Sequence, residues 1–201
     1  STFKDMSLME VTRGCIWACR FCTAGFIYRP PRLPDLNLTY NSMERVLAGQ
    51  GKSVSTVGLV GPSVTDHPEL LPLAKKIVAD RKMLSFSSLR METLTDELVD
   101  LILKSGQKTL TVAVDGPSER MRRVINKVAT DDDIVEKCRF LTEKGILHLK
   151  IYSIIGLPGE TDEDIDHFIA LVERVMKVYI ATCSQRGNIG QVTISLSPLI
   201  P

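Results

Sequence analysis

The residues with the clearest chemical potential are Cys15, Cys19 and Cys22, three of the five cysteines in the chain. Their spacing, with three residues between the first pair and two between the second, lets three thiolates converge on one small inorganic group. Four thiolates close a zinc or iron–sulfur site, whereas three leave one metal position open to water, substrate or a cofactor. No histidine lies near this segment, since the first in the chain is His67. The pattern therefore favours a metal cluster with an open corner over ordinary apolar cysteines or a structural zinc site.

Composition and charge narrow the functional classes. The chain has 201 residues, enough for one well-buried domain, and its net charge of +1 gives no general electrostatic reason to expect nucleic acid or an anionic membrane as a partner. No apolar run approaches the roughly 20 residues that span a bilayer, and the N-terminus has no signal-peptide pattern. An odd number of cysteines, three of them clustered, fits a reducing cytosol, so we expect a cytoplasmic protein. Cys138 and Cys183 are predicted to play no part in the chemistry.

Predicted strands and helices alternate along the chain. The strands are predicted at residues 8–12, 54–60, 84–88, 110–114, 146–155 and 192–196. Helices are predicted at 42–48, with Gly49 as a left-handed cap, and at 68–82, 117–125 and 131–144. Two more are predicted to begin at capping boxes, one at Thr93 that ends at 105 and one at Thr161 that ends at 178. Strands separated by helices are parallel, so six such units predict a barrel-like sheet with fewer strands than an eight-stranded barrel; an open doubly wound sheet gives the same pattern.

The cysteine segment, Cys15-x-x-x-Cys19-x-x-Cys22 with Phe21 before the last cysteine, resembles the signature of the radical S-adenosylmethionine (radical SAM) superfamily. The resemblance implies that the three cysteines bind three irons of a [4Fe-4S] cluster, whose fourth iron is chelated by SAM, and that Phe21 lies near the adenine. It also implies an α/β fold, a (β/α)6 partial TIM barrel with parallel strands. It covers residues 1–201, which we expect to be one radical SAM core domain and a fragment of a larger protein.

Further site residues are sought after each strand, because ligands bind at the C-terminal ends of strands in parallel barrels. After the second strand, Gly61-Pro62-Ser63 replaces the Gly-Gly-Glu segment of many superfamily members, so the resemblance implies that backbone carbonyls or Ser63 contact the SAM amino group. After the third strand, Arg90 could form a bidentate pair with the SAM carboxylate; the alternative is an ion pair with Glu92.

The fourth and fifth strands end in two more segments that resemble the superfamily. Asp115 matches a carboxylate that lies near the SAM ribose or amino group, although Asp is shorter than the more usual Glu. Ile154-Ile155-Gly156-Leu157-Pro158-Gly159-Glu160-Thr161 resembles the Gly-x-Ile-x-Gly segment, whose backbone contacts adenine, which makes Ile154 and Gly156 candidate adenine contacts. Read alone, Asp-Gly-Pro and Gly-Pro-Ser are ordinary turns.

The resemblance implies an enzyme that reductively cleaves SAM to a 5′-deoxyadenosyl radical, with a low-potential donor such as flavodoxin or ferredoxin supplying the electron. The segments around residues 10–32 and 123–127 look most like a branch of iron–sulfur oxidoreductases whose members carry a cobalamin-binding domain. In this protein that domain would lie outside the chain, and the enzyme would catalyse methylation or rearrangement. One alternative is a methylthiotransferase acting on tRNA or ribosomal protein. Another is an iron–sulfur electron-transfer module without SAM chemistry, which would normally need a fourth cysteine. The substrate is not indicated by the sequence.

Overall fold

The computed structural model describes residues 5–86 and 89–200 of the chain. The strands in this part are β1 (Met6–Glu10), β2 (Thr56–Val60), β3 (Met83–Phe86), β4 (Thr109–Asp115), β5 (His148–Ile155) and β6 (Gln191–Pro198). The α-helices are α1 (Ala24–Ile27), α2 (Leu36–Gly49), α3 (Leu70–Ala79), α4 (Asp96–Lys104), α5 (Glu119–Val124), α6 (Asp131–Lys144) and α7 (Asp162–Gln185). At least one helix separates each strand from the next, as the sequence predicts.

The chain divides into two compact units, each with its own three-stranded sheet. The first consists of Ser1–Ala18, Cys22–Leu89 and Thr93–Gln107, and its strand order is β1-β2-β3. The second consists of Cys19–Phe21, Arg90–Glu92 and Lys108–Pro201, and its strand order is β4-β5-β6. Every strand pair in both sheets is parallel, which confirms the predicted direction of the strands.

The predicted strand positions are correct to within about two residues at most ends. β1 begins and ends two residues before the predicted 8–12, and β6 extends beyond the predicted 192–196 at both ends. The last two residues of the predicted third strand, 87 and 88, lie outside the described part of the chain. The pairing of β1 with β2 keeps one register from Met6 opposite Thr56 to Glu10 opposite Val60. The pairing of β4 with β5 shifts register near Asp115, at the end of β4.

Several helix ends follow the capping residues in the sequence. Thr130 and Asp133 form a reciprocal capping box at the start of α6, which ends at the left-handed Gly145 (φ 115°). Several predicted helix ends were wrong. α2 begins at Leu36, after the capping side chain of Asp35, rather than at 42, and α7 continues to Gln185 rather than ending at 178. Gly49 is the last residue of α2 rather than its cap, and Gly51 is the residue with positive φ. The N-cap of α4 is Thr95, whose side chain accepts a hydrogen bond from the Leu98 amide, because Thr93 belongs to a preceding 3₁₀ turn.

The second unit contains a charged side chain that is completely buried. Arg122, on α5, is 0% exposed; its Nε donates to the Ala129 carbonyl at 2.7 Å and its Nη1 to the Gly116 carbonyl at 3.2 Å. Its remaining nitrogen pairs with the Asp131 carboxylate. A guanidinium away from water needs a counter-charge and hydrogen-bond acceptors, so this residue joins the end of β4, the loop after α5 and the start of α6.

Among the described helices, none combines the length and the apolar composition required to cross a membrane.

Replacing the buried guanidinium should destabilise the protein strongly. Arg122→Ala leaves two buried carbonyls and a half-buried carboxylate without their donor, so we expect the free energy of unfolding to fall by about 3 kcal/mol. Urea unfolding followed by circular dichroism measures this. Arg139→Ala is the matched control, because Arg139 pairs with Glu136 on the exposed side of α6 and should cost less than about 1 kcal/mol. Equal losses in the two variants would contradict the assigned role of Arg122.

The first turn of α7 contains the most heavily hydrogen-bonded carboxylate of the second unit among those described. Asp164 accepts from the Thr161 amide at 2.9 Å, from the Ser118 hydroxyl and from the Arg120 guanidinium. Burial alone would raise the pKa of Asp164, but the hydrogen bonds from Arg120, Ser118 and Thr161 outweigh it and hold the pKa far below the usual range. The ionised form is therefore favoured in the folded protein.

The depressed pKa predicts a stability loss in acid. A carboxylate whose pKa is lower in the folded state stabilises the protein above its unfolded pKa of about 3.9, and this contribution disappears as the pH falls towards the folded value. Asp164→Asn should therefore lower the free energy of unfolding by about 2 kcal/mol at pH 7, with a smaller difference from the unmodified protein below pH ~4. Denaturant titrations at both pH values measure the difference. Asp166→Asn, on the exposed side of α7, should change little at either pH; an unchanged Asp164→Asn difference would refute the linkage.

Candidate functional site

The first unit contains Cys15 and Cys22, in the loop that follows β1. This loop is fixed by a short antiparallel bridge, in which the Arg13 amide donates to the Arg32 carbonyl at 3.0 Å and the Arg32 amide donates back at 2.8 Å. Gly14 has φ 86°, and a Cβ there would lie 2.0 Å from the Tyr28 carbonyl oxygen. Only glycine therefore fits beside Cys15, whose side chain is buried.

The predicted residues Gly61 and Ser63 meet the same loop. Gly61 has φ 156°, and a Cβ there would lie 2.4 Å from the Thr12 hydroxyl oxygen. The Ser63 amide donates to that hydroxyl at 3.3 Å, and Ser63 is buried. A cavity of about 430 Å³ lies here, with Thr12, Gly14, Tyr28, Gly61 and Pro62 among its lining residues. Its volume is in the range of small-molecule sites.

The second unit contains Cys19, which is buried. The residue after it is fixed by two bonds to the end of α5: the Arg20 amide donates to the Ile125 carbonyl at 3.0 Å, and its side chain donates to the Val124 carbonyl at 2.6 Å. The Arg90 Nη1 lies 3.7 Å from the Cys19 Sγ, within hydrogen-bonding distance for sulfur, and its Nη2 lies 3.2 Å from Glu92 Oε1. The alternative weighed for Arg90, an ion pair with Glu92, is thus present together with a contact to a predicted cluster ligand.

The predicted residue Asp115 ends β4 and forms a buried ion pair. Its carboxylate accepts from the Lys127 ammonium, which also donates to the Ala113 carbonyl, and Lys127 is 1% exposed. The pair lies close enough to Cys19 to act on it electrostatically. Burial raises the pKa of the Cys19 thiol, while Arg90 and then Lys127 act to lower the pKa and Asp115 acts to raise it. A SAM contact by Asp115 stays a prediction.

Phe21, predicted to lie near the adenine, and Ile154, whose backbone is a predicted adenine contact, belong to one apolar cluster. Ile154, Met121, Ile125 and Leu157 are its buried members, and Phe21 packs against them with part of its ring accessible. Gly156, the third predicted contact, follows β5 in a turn with φ 77°. The Glu160 carboxylate stabilises this turn by accepting from the Gly156 amide at 2.9 Å and from the Leu157 amide at 3.2 Å. An apolar face thus lies directly beside an exposed, glycine-containing turn.

Each unit therefore brings some predicted residues together. Gly61 and Ser63 meet at Thr12 in the first, while Phe21 packs with Ile154 and Arg90 contacts Cys19 in the second. Sequence reasoning missed Thr12 and Glu160 as supporting residues. It also missed Lys127 as the partner of Asp115, although the segment 123–127 was part of the resemblance; a lysine among apolar residues was the available signal.

The donor set fits a group bound by thiolates. All five cysteines are free of disulfides, and the Arg90 guanidinium next to Cys19 partly offsets the burial that raises the pKa of that thiol. Across residues 5–86 and 89–200, no three His, Cys, Asp or Glu side chains are grouped so as to hold a metal ion. The ligands of a [4Fe-4S] cluster bind different irons rather than one ion, and their assignment to Cys15, Cys19 and Cys22 stays a prediction.

Comparison with known proteins decides the family. The model of the "Radical SAM superfamily" matches residues 9–172, most of the chain. The chain belongs to the radical SAM superfamily. This is an enzyme superfamily that uses a [4Fe-4S] cluster and SAM, as the cysteine segment indicates.

Individual relatives place this radical SAM domain among longer proteins. It is 38% identical over 195 residues to an uncharacterized protein from Methanocaldococcus jannaschii (96% of this chain, 40% of the relative). It is 25% identical over 185 residues to the ribosomal protein uS12 methylthiotransferase RimO of Thermosipho africanus (86% of this chain, 42% of the relative). The chain thus spans about two fifths of the length of these relatives.

A solved structure confirms the fold. The radical SAM methyltransferase TsrM from Kitasatospora setae, with cobalamin and a [4Fe-4S] cluster bound, superimposes with a TM-score of 0.69 at 19% identity, over 95% of this chain and 36% of that chain. At this identity the likeness concerns the fold alone. It supports the predicted partial TIM barrel with parallel strands over the open doubly wound sheet.

The close contact at Gly14 yields a test of the loop. Gly14→Ala would force the Tyr28 carbonyl and the backbone before Cys15 apart, so we expect at least a severalfold loss of iron bound per chain after anaerobic reconstitution. Gly49→Ala is the control, because its Cβ would meet nothing within 4 Å at the end of α2. Iron and sulfide analysis gives the stoichiometry, and circular dichroism checks folding. Full iron loading in a folded Gly14→Ala protein would show that the loop does not depend on this contact.

Proposed function

We propose that this domain reductively cleaves SAM, with Cys15, Cys19 and Cys22 as the ligands of the [4Fe-4S] cluster. The observation that carries the proposal is the cysteine loop itself: three free thiols at the superfamily's spacing, in a loop fixed at Gly14 and Arg20 by contacts on either side. When bound, the cluster and SAM supply a 5′-deoxyadenosyl radical that abstracts hydrogen from a substrate. The protein supplies ligation, orientation and exclusion of water.

The remaining site residues would bind SAM. Phe21 would pack beside the adenine, and the Ile154 backbone and the Gly156 turn would lie close to the ring. The Thr12–Ser63 contact would present the backbone after β2 to the amino group of SAM. Asp115, fixed by Lys127, would contact the ribose or the amino group.

The apolar cluster behind Phe21 would keep water away from the reacting atoms. Met121, Ile125, Ile154 and Leu157 are between 0% and 6% exposed, so they form a dry core behind the Phe21 ring. Orientation would come from Gly156 and Asp115. Each group would thus act through position rather than by proton transfer.

For the whole protein, we propose cobalamin-dependent methylation or rearrangement, with cobalamin bound by a domain outside this chain. The TsrM structure, in which the same fold accompanies cobalamin, supports it. A second candidate is methylthiotransfer to tRNA or ribosomal protein, which the relationship to RimO favours. The partners would be a substrate not indicated by the sequence and a low-potential donor such as flavodoxin or ferredoxin, in the cytoplasm. We propose that residues 1–201 are one core domain of this larger protein.

The proposal is tested by SAM cleavage. The purified protein is reconstituted anaerobically with iron and sulfide, reduced with dithionite and given SAM, and 5′-deoxyadenosine is followed by chromatography with mass detection. We expect product from the unmodified protein and a loss of at least a hundredfold in Cys19→Ala. Cys138→Ala is the matched control, because Cys138 is buried in α6, where burial raises its pKa to about 12 and keeps the thiol protonated.

The competing electron-carrier function predicts a different result. A carrier needs a fourth thiolate, and Cys183 on α7 is the remaining candidate beside Cys138. Loss of cluster in Cys183→Ala, with no 5′-deoxyadenosine from a fully loaded unmodified protein, would favour the carrier. Failure of the unmodified protein to assemble any cluster would refute both functions.

A further inference from the structure

We propose that Arg90 is a positioning residue that tunes the reduction potential of the cluster through a hydrogen bond to Cys19. The inference rests on the proposed function in one respect, that Cys19 is a cluster ligand. It differs from the two sequence-based alternatives for Arg90, a bidentate pair with the SAM carboxylate and an ion pair with Glu92. Its consequence can therefore be measured without SAM.

The guanidinium is oriented towards the sulfur by its second contact. Nη1 lies 3.7 Å from Cys19 Sγ, while Nη2 lies 3.2 Å from Glu92 Oε1, so the two ends of the fork have different acceptors. The Arg90 side chain is only 15% exposed, so little water competes with Cys19 and Glu92 for its hydrogen bonds. A planar fork with fixed donor directions suits this double contact better than the single ammonium of lysine.

A hydrogen bond to the sulfur of a cluster ligand changes the electron affinity of the iron–sulfur cluster. Reduction adds one negative charge, part of which resides on the thiolate sulfurs. A cationic N–H donor stabilises this added charge, and hydrogen bonds to sulfur are among the factors that set iron–sulfur potentials. Arg90 should therefore make reduction easier, and its effect is strengthened because Cys19 is buried away from water.

The ion pair of Lys127 and Asp115 allows a second substitution, which should change the reduction potential in the opposite direction. Lys127 and Asp115 both act electrostatically on Cys19, the cation favouring negative charge on the sulfur and the carboxylate opposing it. Removing the carboxylate should thus raise the potential, whereas removing the Arg90 guanidinium should lower it. A purely structural role for either residue predicts no such reversal.

The test is an anaerobic redox titration of the reconstituted protein with dithionite and mediators, in the absence of SAM, followed by electron paramagnetic resonance. For Arg90→Met we expect the one-electron reduction equilibrium to become about tenfold less favourable, a shift of about 59 mV to more negative potential. Arg90→Lys, which keeps the charge but loses the fork, should shift less. Asp115→Asn should shift to more positive potential, and Arg139→Met, an exposed arginine on α6, should not shift.

The outcomes separate this inference from the proposed function. An unmodified protein that binds no cluster refutes the proposed function. A loaded Arg90→Met protein with an unchanged potential refutes the inference alone. If Arg90→Met assembles no cluster, Arg90→Lys and Asp115→Asn decide instead: shifts in the expected directions support it, and unchanged potentials overturn it.

Discussion

The proposed cluster site depends on fixing a loop that has no regular structure of its own. A cluster needs three thiols in fixed positions, yet the segment between β1 and α1 contains no helix or strand. Its conformation comes from contacts with other parts of the chain: the backbone bridge between Arg13 and Arg32, the packing of Gly14 on Tyr28, and the bond from Arg20 to the Ile125 carbonyl. Because two of these contacts use main-chain atoms on both sides, they constrain backbone geometry more than side-chain identity.

The sequence was sufficient to predict the order of the described strands and α-helices except for the short α1, because hydrophobic periodicity and capping residues are local signals. The helix predicted at 131–144 coincides with α6, which the Thr130 capping box and the left-handed Gly145 bound locally. Local signals failed where two candidates compete within a few residues. Thr93 and Thr95 can both cap a helix, and packing of the 3₁₀ turn decided between them; Gly49 and Gly51 likewise both resemble a stop, and α2 continued through the first.

The same distinction applies to the site. Three cysteines at close spacing are readable in the sequence, and the turn at Gly156 is readable because few residues tolerate its backbone. The contact between Arg90 and Cys19 is not, since 71 residues separate them and nothing local indicates that they meet. Lys127 was hidden for a related reason: a lysine in sequence suggests solvent, and only the fold shows that its ammonium is buried against Asp115.

The buried Arg122 also limits how this protein can change in evolution. Its one side chain spans the end of β4, the loop after α5 and the start of α6, so an insertion anywhere between Gly116 and Asp131 would pull at least one partner out of reach. Variation in length is cheaper in the turn between α7 and β6, where Ile189 is 93% exposed. The segment that carries Lys127 is thereby kept at constant length by a residue with no part in the chemistry.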